Sequence, residues 1–128
     1  MQRGMDLIRQ IMFKVEEHPG GFAPQHLAIE GYTAEQIAYH VWLLGDAGLM
    51  RVEEATEWGS SGPGAFPLSL TWKGHDFIDA ARNETAWAYA MEMVRKVGSV
   101  SLPVLQHLLE SWAEGKLGLR IGPTPPPV

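Results

Sequence analysis

Five histidines (His18, His26, His40, His75 and His107) are the residues of this chain best suited to hold a metal or move protons. No two of them stand at a ligand spacing such as His-x-x-x-His. The chain has no cysteine, so thiolate zinc sites, thiolate nucleophiles and disulfides are excluded together. His40 and His75 could meet across two elements, but a structural hydrogen-bonding role is the expected one. Carboxylates pair at Glu16-Glu17 and Glu53-Glu54. The first pair closes a helix, and the second lies on a strand, where neighbours point to opposite faces. General acid–base chemistry needs two carboxyls converging on one pocket, so both pairs read as solvated surface. Gly59-Ser60-Ser61-Gly62-Pro63-Gly64 has no lysine and opens no helix, so it is no phosphate loop, and no nucleophile elbow surrounds its serines. Nothing in these patterns supports catalysis, and the expectation is a non-enzyme without cofactor or metal.

Binding chemistry is legible in one place, a helix expected to begin after Thr33. Its outward face would carry Glu35, Gln36, Tyr39, Trp42, Leu43 and Asp46. Gln36 and Tyr39 could contact bases or phosphates, with Thr33, Arg51 and Lys73 nearby. Trp42 and Leu43 suit a protein partner better, and Glu35 and Asp46 repel phosphate. Charge is distributed accordingly. Net charge is −5, and residues 31–70 hold five acids (Glu35, Asp46, Glu53, Glu54, Glu57) against Arg51 alone. A minor-groove reader wants arginine or lysine at a hairpin tip, where this chain has Glu57 and Trp58.

The elements that must position these residues follow from periodicity. Ile8, Ile11, Met12 and Val15 predict a helix over residues 5–18, stopped by Pro19-Gly20-Gly21. Residues 26–30 read as a short strand. Thr33 with Gln36 three residues on is a capping-box pattern, and the helix it opens buries Ile37, Val41 and Leu44 and ends at Ala47-Gly48. Strands are predicted over residues 49–55 and 65–70, joined by a Gly/Ser/Pro turn. Thr71 caps a helix to about Arg82. Asn83 opens another to about Val97, with Trp87, Ala90, Met91, Val94 and Val97 on one stripe and Ala86, Tyr89 and Met93 on a second. Ser101 and Pro103 start a last helix with Leu105, Leu108, Leu109 and Trp112 in register, fading near Gly118. Gly122-Pro123-Thr124-Pro125-Pro126-Pro127-Val128 can only be extended or polyproline-like.

This order, with Ala47-Gly48-Leu49 before the hairpin and Leu70-Thr71-Trp72-Lys73-Gly74 after it, resembles the winged-helix order of transcriptional regulators. The fold class expected is mainly α with a small β-hairpin (α+β): a winged-helix domain over residues 1–82, two C-terminal helices over 83–120, and a proline-rich tail over 121–128. One departure stands out. Between Gly31 and Gly48 there is room for one helix, so the support helix of a helix-turn-helix has either shrunk to a turn around Tyr32-Thr33-Ala34 or is absent.

A closer likeness covers nearly the whole chain. Met5-Asp6-Leu7-Ile8-Arg9, Tyr39-His40, Gly48-Leu49, Leu70-Thr71 through Phe77, Ala81-Arg82, Trp87, Gly98 to Leu102 and Lys116-Leu117-Gly118 resemble a family of small bacterial and prophage-encoded proteins catalogued only as a domain of unknown function. That resemblance implies a winged-helix fold in a phage or mobile-element context. The functional expectation is a regulator-like winged helix that binds DNA, with a protein-interaction module of the same shape as the alternative. Thr33, Gln36, Tyr39, Trp42, Leu43, Arg51, Trp58 and Lys73 would form the surface for DNA or for a host or phage protein. The two-sided apolar helix suggests a homodimer through the C-terminal helices. No membrane segment is expected, and the missing cysteines fit a cytoplasmic location.

Overall fold

The computed structural model describes residues 3–20, 23, 26–55 and 62–117. Along the chain come α1 (Met5–Glu16), α2 (Ala34–Asp46), β1 (Met50–Glu54), β2 (Ala65–Leu70), α3 (Trp72–Ala81), α4 (Glu84–Val97) and α5 (Leu102–Leu117). The protein is thus mainly helical, with one two-stranded antiparallel sheet among the described residues. The chain divides into two compact units, Met1–Ile78 and Asp79–Val128, and α3 crosses that division.

In the first unit, the 3.6-residue pattern of α1 buries Leu7, Ile8, Ile11, Met12 and Val15 together. Helix α2 contributes Ile37, Val41 and Leu44 to the buried set. Its start is the capping box read from sequence: the Gln36 N–H donates to Thr33 Oγ1 at 3.1 Å, and the Thr33 N–H donates to Gln36 Oε1 at 2.9 Å. Replacing Thr33 by Ala removes an acceptor from a free helix terminus. Thr33→Ala is therefore expected to cost about 1 kcal/mol, read as a lower urea midpoint with unchanged slope.

The hairpin carries one irregularity with a clear cause. Arg51 pairs with Ser69 and Val52 with Pro67, so Leu68 is an extra residue in β2. Proline donates no N–H, which makes its neighbourhood the natural place for a bulge. The Leu68 carbonyl accepts instead from the Ala23 N–H at 2.8 Å. That bond is where the segment before α2 meets the sheet, and it bears on the strand expected over residues 26–30, which does not form. Burial there does alternate, with Leu27 and Ile29 turned inward and His26, Ala28 and Glu30 outward. Among the described residues no strand pairs with this segment, and the His26 ring stands perpendicular to Phe66 with 5.3 Å between ring centres. Among the described residues no helix stands between α1 and α2 either. A turn closed by the Tyr32 N–H on the Ile29 carbonyl, at 3.2 Å, leads into α2.

Thr71 joins the two sides of the unit. Its hydroxyl donates to the Gly48 carbonyl at 2.7 Å and accepts from the Gly74 N–H at 3.0 Å. Gly48 itself takes a positive φ of 78°, ending α2 in the left-handed turn that glycine enters without strain.

In the second unit, Asn83 caps α4 through bonds from the Thr85 and Ala86 N–H groups. Ala86, Trp87 and Ala90 are buried, as are Leu105 and Leu109 of α5, and the two helices pack on each other. Val97, expected on the inward stripe, is instead 69% exposed. It is the last residue of α4, next to the turn at Gly98, and the buried stripe has ended a turn or more before it. Among the described residues no helix is long and apolar enough to cross a membrane.

Candidate functional site

The outward side of α2 is where residue types and geometry combine. Tyr39 and Trp42 lie three apart on the helix, and their rings stack at 6.1 Å with 22° between planes. Tyr39, Trp42 and Leu43 are each half-buried, so Trp42 is neither core nor free in solvent. Glu35 and Asp46 stand exposed at the two ends of this apolar strip. The helix contains no lysine or arginine.

The strip is held in place from beneath by His40. Its Nε2 accepts from the Gly4 N–H at 2.9 Å, and its Nδ1 faces the Gln36 carbonyl at 2.7 Å. An acceptor nitrogen on one side and a carbonyl on the other fix the neutral ring with the proton on Nδ1. His40 therefore links the start of α1 to the first turn of α2 and offers no nitrogen to a metal. His75 is exposed on α3 and does not share these partners. Among the described residues no three His, Asp or Glu side chains converge as a metal site. His40→Phe keeps an aromatic ring, though a larger one, and leaves the Gly4 N–H without its acceptor. A loss of about 1 kcal/mol is expected, checked by denaturation.

The other expected contact residues are engaged within the fold. The Thr33 and Gln36 side chains serve the capping box. The Arg51 guanidinium donates to the Leu70 carbonyl at 3.0 Å and to Ser69 Oγ at 3.4 Å, stapling the hairpin beside its bulge. Lys73 Nζ reaches the Ala47 carbonyl at 3.5 Å, a cation at the negative end of α2. Thr33, Gln36, Tyr39, Trp42 and Leu43 thus share one helix, and Lys73 marks its C-terminal end. Trp58 and Glu57 lie outside the described residues. Three further cations have partners: Arg82 pairs with Asp79 at 2.8 Å, Arg95 with Glu92, and Arg9 is buried with its guanidinium 4.8 Å from the Phe13 ring centre.

One surface residue escaped the sequence reading. Trp72 is 83% exposed, the most exposed of the large apolar side chains described. It precedes Lys73 at the first position of α3, so it stands beside the C-terminal end of α2. A signal for it did exist. Gly74, Phe77, Ile78 and Ala81 form the buried series of α3, and a helix burying that series turns position 72 to solvent.

A family model described as "Hypothetical protein (DUF2513)" matches residues 2–101, which reach from the start of the chain to the residue before α5. An uncharacterized protein of Haemophilus influenzae is 37% identical over 91 residues, covering 68% of this chain and 73% of its own. No solved structure matches. On the extent of the family match, the chain belongs to the DUF2513 family of hypothetical proteins.

Proposed function

We propose that the first unit is a winged-helix-shaped protein-interaction module, with α2 in the place of a recognition helix and the β1–β2 hairpin in the place of a wing. Its working face is the strip Tyr39, Trp42 and Leu43, continued by Trp72. One observation carries this reading: α2 has two stacked aromatics, an acid at each end and no lysine or arginine. Aromatic anchors flanked by charge are the composition of a protein-binding hot spot. The partner surface it fits is an apolar pocket rimmed by lysine or arginine, on a host or phage protein in a mobile-element setting. The regulator-like reading by DNA contact is weaker on the same observation. Phosphate binding needs convergent cations, whereas Arg51 and Lys73 cap backbone carbonyls and Thr33 and Gln36 cap α2.

The test is a photo-reactive phenylalanine derivative placed at Asp46, exposed at the end of α2, in the intact chain inside cells. A discrete protein adduct that disappears with Trp42→Ala is the expected result. Adducts to nucleic acid, or none at all, would count against the proposal.

A further inference from the structure

The imidazole of His40 is 3% exposed and bridges two helices of the first unit. Its Nδ1 donates to the Gln36 carbonyl one turn back on α2, and its Nε2 accepts from the N–H of Gly4, the N-cap of α1. Glycine has no side chain with which to cap a helix, and α1 has no side-chain cap bond. His40 thus satisfies, from another helix, one of the backbone donors that a helix start leaves over. The two bonds make opposite demands on the ring, a donor at Nδ1 and an acceptor at Nε2. Only the neutral imidazole with its proton on Nδ1 meets both.

We propose that His40 is an acid-sensitive latch, which holds the start of α1 to α2 while neutral and releases it on protonation. A proton added at Nε2 points at the Gly4 N–H, donor against donor, in a site nearly closed to water. Nothing is gained at Nδ1 in exchange, because it already donates to Gln36. The Gly4 bond is therefore present at higher pH and lost as pH falls and the ring takes up its second proton. Release begins locally. The Gly4 carbonyl accepts from the Ile8 N–H at 3.1 Å in the first turn of α1, while Leu7 and Ile8, both buried, hold the body of the helix. Helix ends open at lower cost than the core they cover.

The surroundings supply no charge that would hold the protonated ring in place. Among the described residues its partners are Gly4, Gln36 and Tyr39, whose ring meets the imidazole edge-on at 5.8 Å. On α2 itself the acids are Glu35 and Asp46, both exposed. Of the elements packed on α2, α1 brings Arg3 beside Gly4, then Asp6, Arg9, Lys14 and Glu16. Strand β1 carries Arg51, Glu53 and Glu54, all exposed, and β2 has no titratable residue. None of these groups forms an ion pair with His40. The latch stands whether or not the strip on α2 binds a protein, since it rests on the Gly4 and Gln36 bonds alone.

The test is nitrogen-15 NMR of the full chain, titrated from about pH 8 to about pH 5, the range in which imidazoles change charge. At the upper end the ring nitrogens of His40 should show the proton on Nδ1, and a coupling across the hydrogen bond should join the Gly4 nitrogen to His40 Nε2. As pH falls, that coupling is expected to vanish. Protection of the Gly4 amide, corrected for the intrinsic exchange rate, should drop about tenfold, in step with the His40 ring and with none of the other four histidines. The Val41 and Leu44 amides should stay protected, which separates release of one turn from unfolding of the unit. His40→Gln, whose side-chain oxygen accepts at any pH in the range, should keep Gly4 protection level throughout. If that variant does not fold, the titration of the parent chain still decides. Gly4 protection that is unchanged at pH 5, or that falls equally in His40→Gln, would overturn the proposal. So would a loss in step with another histidine, or a simultaneous loss at Val41 and Leu44.

Discussion

Gly74→Ala is expected to lower stability by about 3 kcal/mol, at the upper end of what overpacking costs, with a melting temperature lower by on the order of 10 °C. A Cβ built on Gly74 would lie 1.9 Å from the Leu49 carbonyl oxygen, far inside contact distance. The obstacle is backbone, and that backbone is fixed from two sides. The Leu49 carbonyl accepts from the Thr71 N–H at 3.1 Å, and the Gly48 carbonyl beside it accepts from the Thr71 hydroxyl. For the added methyl to fit, α3 must move away from residues 48–49, which breaks the Thr71 bonds and opens the site of Phe77 and Ile78, both fully buried. Gly45 provides the contrast. A Cβ there meets Val52 Cγ2 at 2.5 Å, so the obstacle is one side chain rather than hydrogen-bonded backbone. Gly45→Ala should therefore cost clearly less, and thermal melts of the two variants side by side check the order.

Trp42→Ala is expected to weaken partner binding by at least about 30-fold, the loss of roughly 2 kcal/mol that marks a hot-spot residue. Trp42 is half-buried and stacked on Tyr39, so in the free chain its indole is already held in one orientation. Preorganisation of that kind reduces the ordering cost on association. Truncation removes the ring and releases Tyr39 as well, so Tyr39→Ala should show a substantial part of the same loss, with the two effects less than additive. Trp72→Ala, at the margin of the strip, should cost less. Circular dichroism of Trp42→Ala must match the parent for the comparison to hold. Binding is measured with the protein captured through the Asp46 adduct.

Much of this arrangement could be read before any coordinates. The capping box at Thr33, the left-handed end at Gly48, the strand over residues 65–70 and the Asn83 cap are local codes: a few adjacent residues decide them, and those residues are present. What failed depended on partners distant in sequence. Leu27 and Ile29 do alternate with outward residues, but whether an alternating segment becomes a strand depends on a free edge, and the edge at Leu68 offers one bond to Ala23. Val97 has the right spacing for burial, yet spacing does not reveal where packing along a helix stops. The site was legible in part. Tyr39, Trp42 and Leu43 follow from the helix phase. The capture of Arg51 and Lys73 by backbone carbonyls could not be read, because it requires knowing that Leu70 and Ala47 lie within reach of them. That capture changes the balance between nucleic acid and protein as the partner.

The claim that α2 presents a protein-docking face rather than a phosphate-binding one is tested most directly by titrating the purified full chain into a fluorescent mixed-sequence duplex from low to physiological salt. Non-specific phosphate attraction is strongest at low salt, so a DNA-binding winged helix must show itself there first. The prediction is a flat anisotropy at every salt concentration, for the parent chain and for Arg51→Glu alike. Binding at low salt that fades as salt rises and is lost with Arg51→Glu would contradict it, and would return the chain to the DNA-binding regulators.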